Sequence, residues 1–430
     1  MHFQKKQAGL LKITTKLLLL LLATCFFSFV KAQNIEKDEG VPESDLKDEF
    51  QKLFNKKTDT SIAPKPPGVA ILPSVGYNPS MGFVIGAKLS AGKQLGSADN
   101  TNFSIFGLEA LISSKGIITV QARHNIFTIG NKWNLQGNWQ LSKFGIIDYG
   151  IGTGQFHFNS NSFVVNEYAT KTGDSAFPIK YTYIRFFEKL YRKIGAHLFA
   201  GGGLGFDIYS SLNDIKQTDT STTPHHRYSL RNGFDPNKYS ANGFLLALQY
   251  NTRDHPLRSY AGIYADLSFR VNQKWLGSTK NSIQLQYDFR KYWSLSKRNP
   301  AHVLAIWNWA SFKLSGDLPY LFLPSTGSDT YARSGRGYTI GYFKGPHFEY
   351  IEAEYRFPIT RNKFLSGVCF INGQTASDDL NTDLFSSWAQ GYGAGLRILF
   401  QKLSRTTICV DFAKGNFGSS GVFFGLNEVF

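Results

Sequence analysis

Long apolar runs are what this sequence lacks. After Val30 no stretch approaches the roughly 20 residues that a membrane-spanning helix needs, so a helical membrane protein is excluded. Cysteine is scarce, with three in 430 residues. Cys369 and Cys409 fall on candidate strands with a further strand between them, a separation that disulfide geometry does not bridge, so both are read as packing residues. Catalytic signatures are missing too: there is no HExxH, no cysteine cluster and no GxSxG elbow. No catalytic residue, metal ligand or cofactor is therefore expected. His225-His226 sits in a Ser- and Thr-rich connection without an evident acidic or cysteine partner, and it is read as surface loop. Acids are fewer than bases, at 31 against 47, for a net charge of +16. No basic block or nucleic-acid motif accompanies that excess, so it is assigned to solvated surface and to attraction for anionic lipid rather than to nucleic acid.

What is present points to an exported chain. Residues 1–32 open with Lys5, Lys6, Lys12 and Lys16, continue with an apolar run from Leu17 to Val30, and end at Val30-Lys31-Ala32, which reads as a secretory signal peptide. Its removal takes five lysines and leaves 42 bases against 31 acids, or +11. Residues 33–67 are too few for an independent core and are read as a short periplasmic arm or linker. Leu46, Phe50 and Leu53 give that arm one amphipathic helix near Ser44–Phe54, and Ala63-Pro64-Lys65-Pro66-Pro67 gives it a stiff spacer.

From residue 68 to 430 the pattern is all β. Aromatics reach 15% and glycines number 41, while the hydrophobic fraction is only 42%. Strands that are greasy on one face and polar on the other produce that combination. Alternation and turn residues define about sixteen strands, an even number: 69–77, 81–92, 101–113, 117–128, 132–144, 180–190, 195–209, 240–252, 261–272, 281–296, 302–315, 347–360, 363–376, 388–400, 405–414 and 421–430. Many exceed the usual five or six residues of a globular strand. The long connections 145–179, 210–239 and 316–346 all follow odd-numbered strands, so they leave from one end, read as the cell exterior. The expectation is a sixteen-stranded antiparallel transmembrane barrel.

Between Tyr331 and Thr360 a Gly335-Arg336-Gly337-Tyr338 loop precedes a strand with Ile351, Ala353, Tyr355, Phe357 and Ile359 on one face and Glu352, Glu354 and Arg356 on the other. An arginine between two glycines can fold back against those carboxylates, which places the loop in the barrel's own lumen. Arg397 and Asp411, on neighbouring strands, also project inward and are expected to pair along the wall.

These motifs resemble the BamA/TamA superfamily of outer-membrane barrels, the bacterial surface antigens, over residues 68–430. The resemblance is carried by Arg253-Asp254-His255-Pro256-Leu257 with Ser259-Tyr260-Ala261-Gly262, by Gly335-Arg336-Gly337-Tyr338, and by Glu354-Tyr355-Arg356-Phe357-Pro358. Phe370-Ile371-Asn372-Gly373, Gly393-Ala394-Gly395-Leu396-Arg397 and Val410-Asp411-Phe412-Ala413 complete the series in order. Two positions depart from the family pattern: Gly335 replaces an aliphatic residue and Asn372 an aspartate. The resemblance implies that Arg336 is anchored by Glu354 and Asn372, the latter accepting a hydrogen bond from the guanidinium, with Glu352 compensating for the charge that Asn372 lacks. It further implies an integral outer-membrane protein that aids insertion or translocation of proteins or lipids. Its partners would be outer-membrane lipids or lipopolysaccharide, with client proteins or periplasmic chaperones. Residues 33–67 are not expected to hold a counterpart of the soluble periplasmic domains of family members that fold clients. Two alternatives stay open: a passive channel or lipid-handling pore, and a structural or adhesive barrel presenting its loops at the surface.

Overall fold

Period-two alternation over strands of seven to seventeen residues builds one continuous sheet. The computed structural model describes residues 41–54, 70–78, 82–97, 100–153, 155–156, 163–165, 168–170, 177–219, 222–378, 383–402 and 404–430. The expected signal peptide and proline spacer lie outside these residues. The wall strands are β1 (Ala70–Asn78), β2 (Gly82–Lys93), β3 (Ser104–Ser113), β4 (Ile118–Phe127), β5 (Trp133–Asp148), β6 (Phe177–Lys193), β7 (Leu198–Asp214) and β8 (Tyr239–Asn251). They continue with β9 (Gly262–Asn272), β10 (Ser282–Ser294), β11 (Val303–Gly316), β12 (His347–Pro358), β13 (Leu365–Ala376), β14 (Ala389–Gln401), β15 (Thr406–Gly415) and β16 (Ser420–Leu426). They form one sixteen-stranded sheet in chain order, each strand antiparallel to the next. β1 and β16 lie side by side. Among the described residues no ladder joins them, and the sheet's hydrogen-bonded order begins at one and ends at the other.

The two faces of this sheet are inverted relative to a water-soluble protein. On β12, Ile351 is 44% exposed and Tyr355 38%, whereas Glu352 and Glu354 are buried. The same reversal leaves Phe83, Ile85, Leu108, Leu246, Leu396, Phe412 and Phe424 exposed around the outside. Buried carboxylates under an exposed aliphatic skin make physical sense only where oil lies outside and polar filling inside.

The long connections after β5, β7 and β11 leave the same end, since all three follow odd-numbered strands. The first carries a three-stranded sheet of Gln155–Phe156, Phe163–Val165 and Tyr168–Thr170. The second carries helix α2 (Pro224–Arg231), started by Thr223, whose hydroxyl accepts from the His226 N–H at 3.2 Å. These segments turn inward and pack an aromatic cluster that includes Tyr209, Tyr228, Tyr239, Tyr320, Tyr338, Tyr342 and Phe343. Tyr228 Oη donates to the Leu318 carbonyl at 3.0 Å, and both Tyr320 Oη (2.8 Å) and Lys344 Nζ (2.5 Å) donate to Asp148. His225 belongs to this plug, which corrects its reading as surface loop. It is fully buried, with Nδ1 2.8 Å from Asp214 Oδ2 and Nε2 3.1 Å from Tyr239 Oη. The acidic partner was invisible in the sequence because Asp214 sits at the end of β7, eleven residues earlier.

At the opposite end, helix α1 (Leu46–Leu53) carries a reciprocal Asp45/Asp48 capping box and docks on the short turns. Ser44 N donates to the Asn362 carbonyl (3.1 Å), Lys363 pairs with Glu43 (2.9 Å) and Lys402 with Asp48 (2.8 Å). Its polar edge faces the barrel, leaving Phe50, Leu53 and Phe54 exposed.

Strand boundaries differ from the sequence reading by up to five residues, as at the end of β7, and the difference at the last strand changes where the chain goes. β16 stops at Leu426 rather than running to Phe430. Asn427 adopts a left-handed backbone (φ 68°), which asparagine tolerates better than most residues. The last residues then turn inward, and Phe430 packs on Trp307 and Tyr292, with ring centroids 5.4 and 6.1 Å apart.

Candidate functional site, an arginine hub in the lumen

The loop between β11 and β12 crosses the lumen and ends on a charged wall built by four neighbouring strands. Antiparallel register lines up Glu352, Asn372, Gly391 and Gly415 in one row across β12–β15. A second row holds Glu354, Phe370, Gly393 and Ala413, and a third holds Arg356, Val368, Gly395 and Asp411. The loop needs unusual backbone to reach this wall. Gly335 has φ +88°, and a Cβ there would stand 2.2 Å from Thr326 Cγ2, so no aliphatic residue fits.

Arg336 is 4% exposed and contacts three carboxylates at once. Its Nε donates to Glu352 Oε2 at 3.2 Å while Nη2 contacts both Glu352 Oε1 and Glu354 Oε2. Nη1 donates to Asp411 Oδ2 at 3.1 Å. The guanidinium also lies over the Phe370 ring, 3.4 Å from its centroid, a stacking geometry that arginine uses and lysine does not. Asn372 departs from the expected role: its Nδ2 donates to the Arg336 main-chain carbonyl at 2.9 Å and does not accept from the guanidinium. An aspartate could not make that bond, and the charge is supplied by Glu352, Glu354 and Asp411 instead.

Around this contact the wall is arranged as alternating charges. Arg356 Nε donates to Glu354 (2.5 Å), and Arg397 donates to Asp411 (2.5 Å) and to Glu428 Oε2 (2.6 Å). Arg258 Nε stands 3.3 Å from Glu428 Oε1. Four arginines thus face four carboxylates with every one of the eight side chains buried. Arg397 and Asp411, expected as a separate pair, are part of the same network because Asp411 bridges both arginines. Gly395 makes room for it: a Cβ there would stand 1.8 Å from Asp411 Oδ1.

The loop is secured at further points. Tyr338 Oη contacts the Gln390 carbonyl and accepts from Asn416 N at 2.7 Å, and burial pushes its phenol up to about 12. Arg333 donates to the main-chain carbonyls of Leu426 (3.0 Å) and Glu428 at the end of β16. On the short-turn side His255 organises the segment that delivers Arg258. Burial, with Arg405 and Arg253 nearby, pushes this imidazole down to about 3, and its Nδ1 accepts from the N–H groups of Leu257 (3.2 Å) and Arg258 (3.4 Å).

Arg333, Arg258 and Glu428 were not picked out from the sequence, and Phe370 only as part of a motif, without a role. Arg356 shares the inward face of Glu354 by simple alternation, and Phe370 faces the same row. Glu428 has no such signal, because its position depends on the inward turn at Asn427.

A sheet with an apolar skin, its long connections drawn into the lumen and an arginine hub beneath them defines an integral outer-membrane barrel of the self-plugged kind. The Omp85 superfamily domain matches residues 153–414, and the chain belongs to that superfamily. Omp85 barrels are bacterial outer-membrane proteins. The solved structures it is similar to include BamA from Haemophilus ducreyi lacking POTRA domains 1–3, at 13% identity and TM-score 0.53, covering 85% of this chain and 70% of that one. CdiB from Escherichia coli is similar at 9% identity and TM-score 0.52, covering 86% of this chain and 63% of that one. These likenesses concern the fold. Comparison with curated proteins finds no match.

Proposed function

We propose that the protein inserts or moves polypeptides or lipids at the outer membrane by opening the seam between β1 and β16, with the arginine hub holding the closed form. Exported by its signal peptide, it would work with its arm, residues 33–67, on the periplasmic side, where α1 docks beside the short turns. The observation that carries this reading is the double attachment of one loop: Arg336 binds β12 and β15, while three residues earlier Arg333 binds the carbonyls at the end of β16. A loop that grips the last strand from inside couples lumen filling to the seam. Membership of the superfamily and the fold shared with BamA and CdiB support the same direction. The aromatic plug counts against a passive channel that stands open at rest.

The test is assisted folding. Liposomes containing the purified protein receive a small urea-unfolded outer-membrane barrel, and its folding is followed by heat-modifiable gel mobility. Folding faster than in empty liposomes, with a changed rate for Arg333→Ala, is the expected result. Rates equal to those of empty liposomes would defeat the proposal.

A further inference from the structure

The hub is balanced, but the cavity beside it is not. Between the loop tip and the β8–β9 turn lies a cavity of about 110 Å³, lined by Lys88, Arg123, Arg253 and Arg333. That is room for several waters or a small anionic group. Arg123 has no carboxylate within salt-bridge distance among the described residues, and its buried Nε has no hydrogen-bond partner. Arg253 donates through Nε to the neutral Asn251 Oδ1 at 3.2 Å, and Arg333 spends its donors on main-chain carbonyls. Lys88 forms only a long ion pair with Glu109, at 3.9 Å. The lining carboxylate, Glu428, is already held by Arg397 and Arg258, and the lining Arg290 by Asp288.

Aromatic rings fix where these cations sit. Arg123 and Arg333 flank the Tyr331 ring at 5.8 and 5.9 Å, and Arg253 lies 4.3 Å over Tyr264. Cations confined in a partly enclosed space without counter-charges are costly unless an anion joins them. Several of them around one space suit a multiply charged group better than a single carboxylate, and guanidinium forks match phosphate oxygens in particular.

We propose that this lumenal cavity binds a phosphate-bearing anion, with Arg123 as its unmatched cation, Lys88 beside it only loosely paired to Glu109, and Arg253 and Arg333 at its margin. This binding does not rest on the insertion activity proposed above, although Arg333 serves both. Free phosphate and a phospholipid headgroup share this chemistry, and calorimetry separates them. Full-length protein stripped of lipid in nonionic detergent is titrated with inorganic phosphate and, separately, with dihexanoyl phosphatidylglycerol. Saturable one-to-one binding of either supports the site: phosphate binding identifies a free anion, and lipid binding without phosphate binding identifies a headgroup. Lys88→Gln combined with Arg123→Gln should weaken the bound ligand by about tenfold or more. Arg253→Gln provides the same comparison should the double variant fail to fold. Binding of neither ligand to the native protein, or equal binding by the variants, overturns the proposal.

Discussion

Replacing Arg336 by alanine removes the one cation shared by three buried carboxylates, and the structure says where the cost falls. Glu354 retains Arg356 at 2.5 Å and Asp411 retains Arg397 at 2.5 Å. Among the described residues Glu352 is left with only the Tyr350 hydroxyl. Breaking a buried pair by removing one partner costs roughly 3–5 kcal/mol, which at about 1.4 kcal/mol per tenfold lowers the folded-to-unfolded ratio by about two to three and a half powers of ten. Because the loss is concentrated on one orphaned carboxylate, adding Glu352→Gln to Arg336→Ala should restore about 2 kcal/mol. Arg336→Lys should recover little, since an ammonium can neither fork onto Glu352 nor stack on Phe370. Denaturant titration of the folded barrel in micelles measures this, using the buried Trp307 and Trp309 as fluorescent reporters. An unchanged midpoint for Arg336→Ala would refute the anchor. A double variant no more stable than the single would refute its assignment to Glu352.

Two further predictions use the loops. Gly335→Val places a β-branched side chain at a positive φ and in a clash with Thr326; loss of protease protection of the 326–343 segment is expected, and full protection would contradict the close approach. His255 has its folded value depressed, to about 3 from an ordinary value of about 6.5. Its neutral form therefore stabilises the β8–β9 turn fully above about pH 6.5, and that stability drains away as pH falls toward about 3. Hydrogen exchange of the 252–261 peptide should accelerate across that window after correction for intrinsic rates, and His255→Gln should flatten the profile.

Most of the fold was legible because a membrane barrel writes its architecture locally. Each of the sixteen strands overlaps its expected position, since a period of two with lipid on one side leaves little freedom of register. The places that escaped depend on contacts distant in sequence. His225 looked like surface because its acid lies across a loop, and β16 seemed to continue to Phe430 because Phe430 has the right chemistry for either lipid or lumen. Arg336 was visible through its glycines and through Glu352 and Glu354 only 16 and 18 residues on. Asp411, 75 residues away, was assigned to Arg397 alone, since pairwise reasoning along neighbouring strands cannot reveal a carboxylate serving two arginines.

That sharing bears on how the closed form could be released. Arg397 and Arg258 converge on Glu428, which hangs on the inward-turned end of β16, and Arg333 holds the backbone of that same end. Withdrawing the loop would remove Arg333 from the last strand and Arg336 from Asp411, yet leave Arg397 bridging Asp411 and Glu428. The strand end would then be tethered by wall residues alone, three arginines facing four carboxylates. On the function proposed above, a balanced closed state beside an unbalanced open one would give the loop two electrostatically distinct positions, with the unladdered edge between β1 and β16 as the place where the sheet would yield.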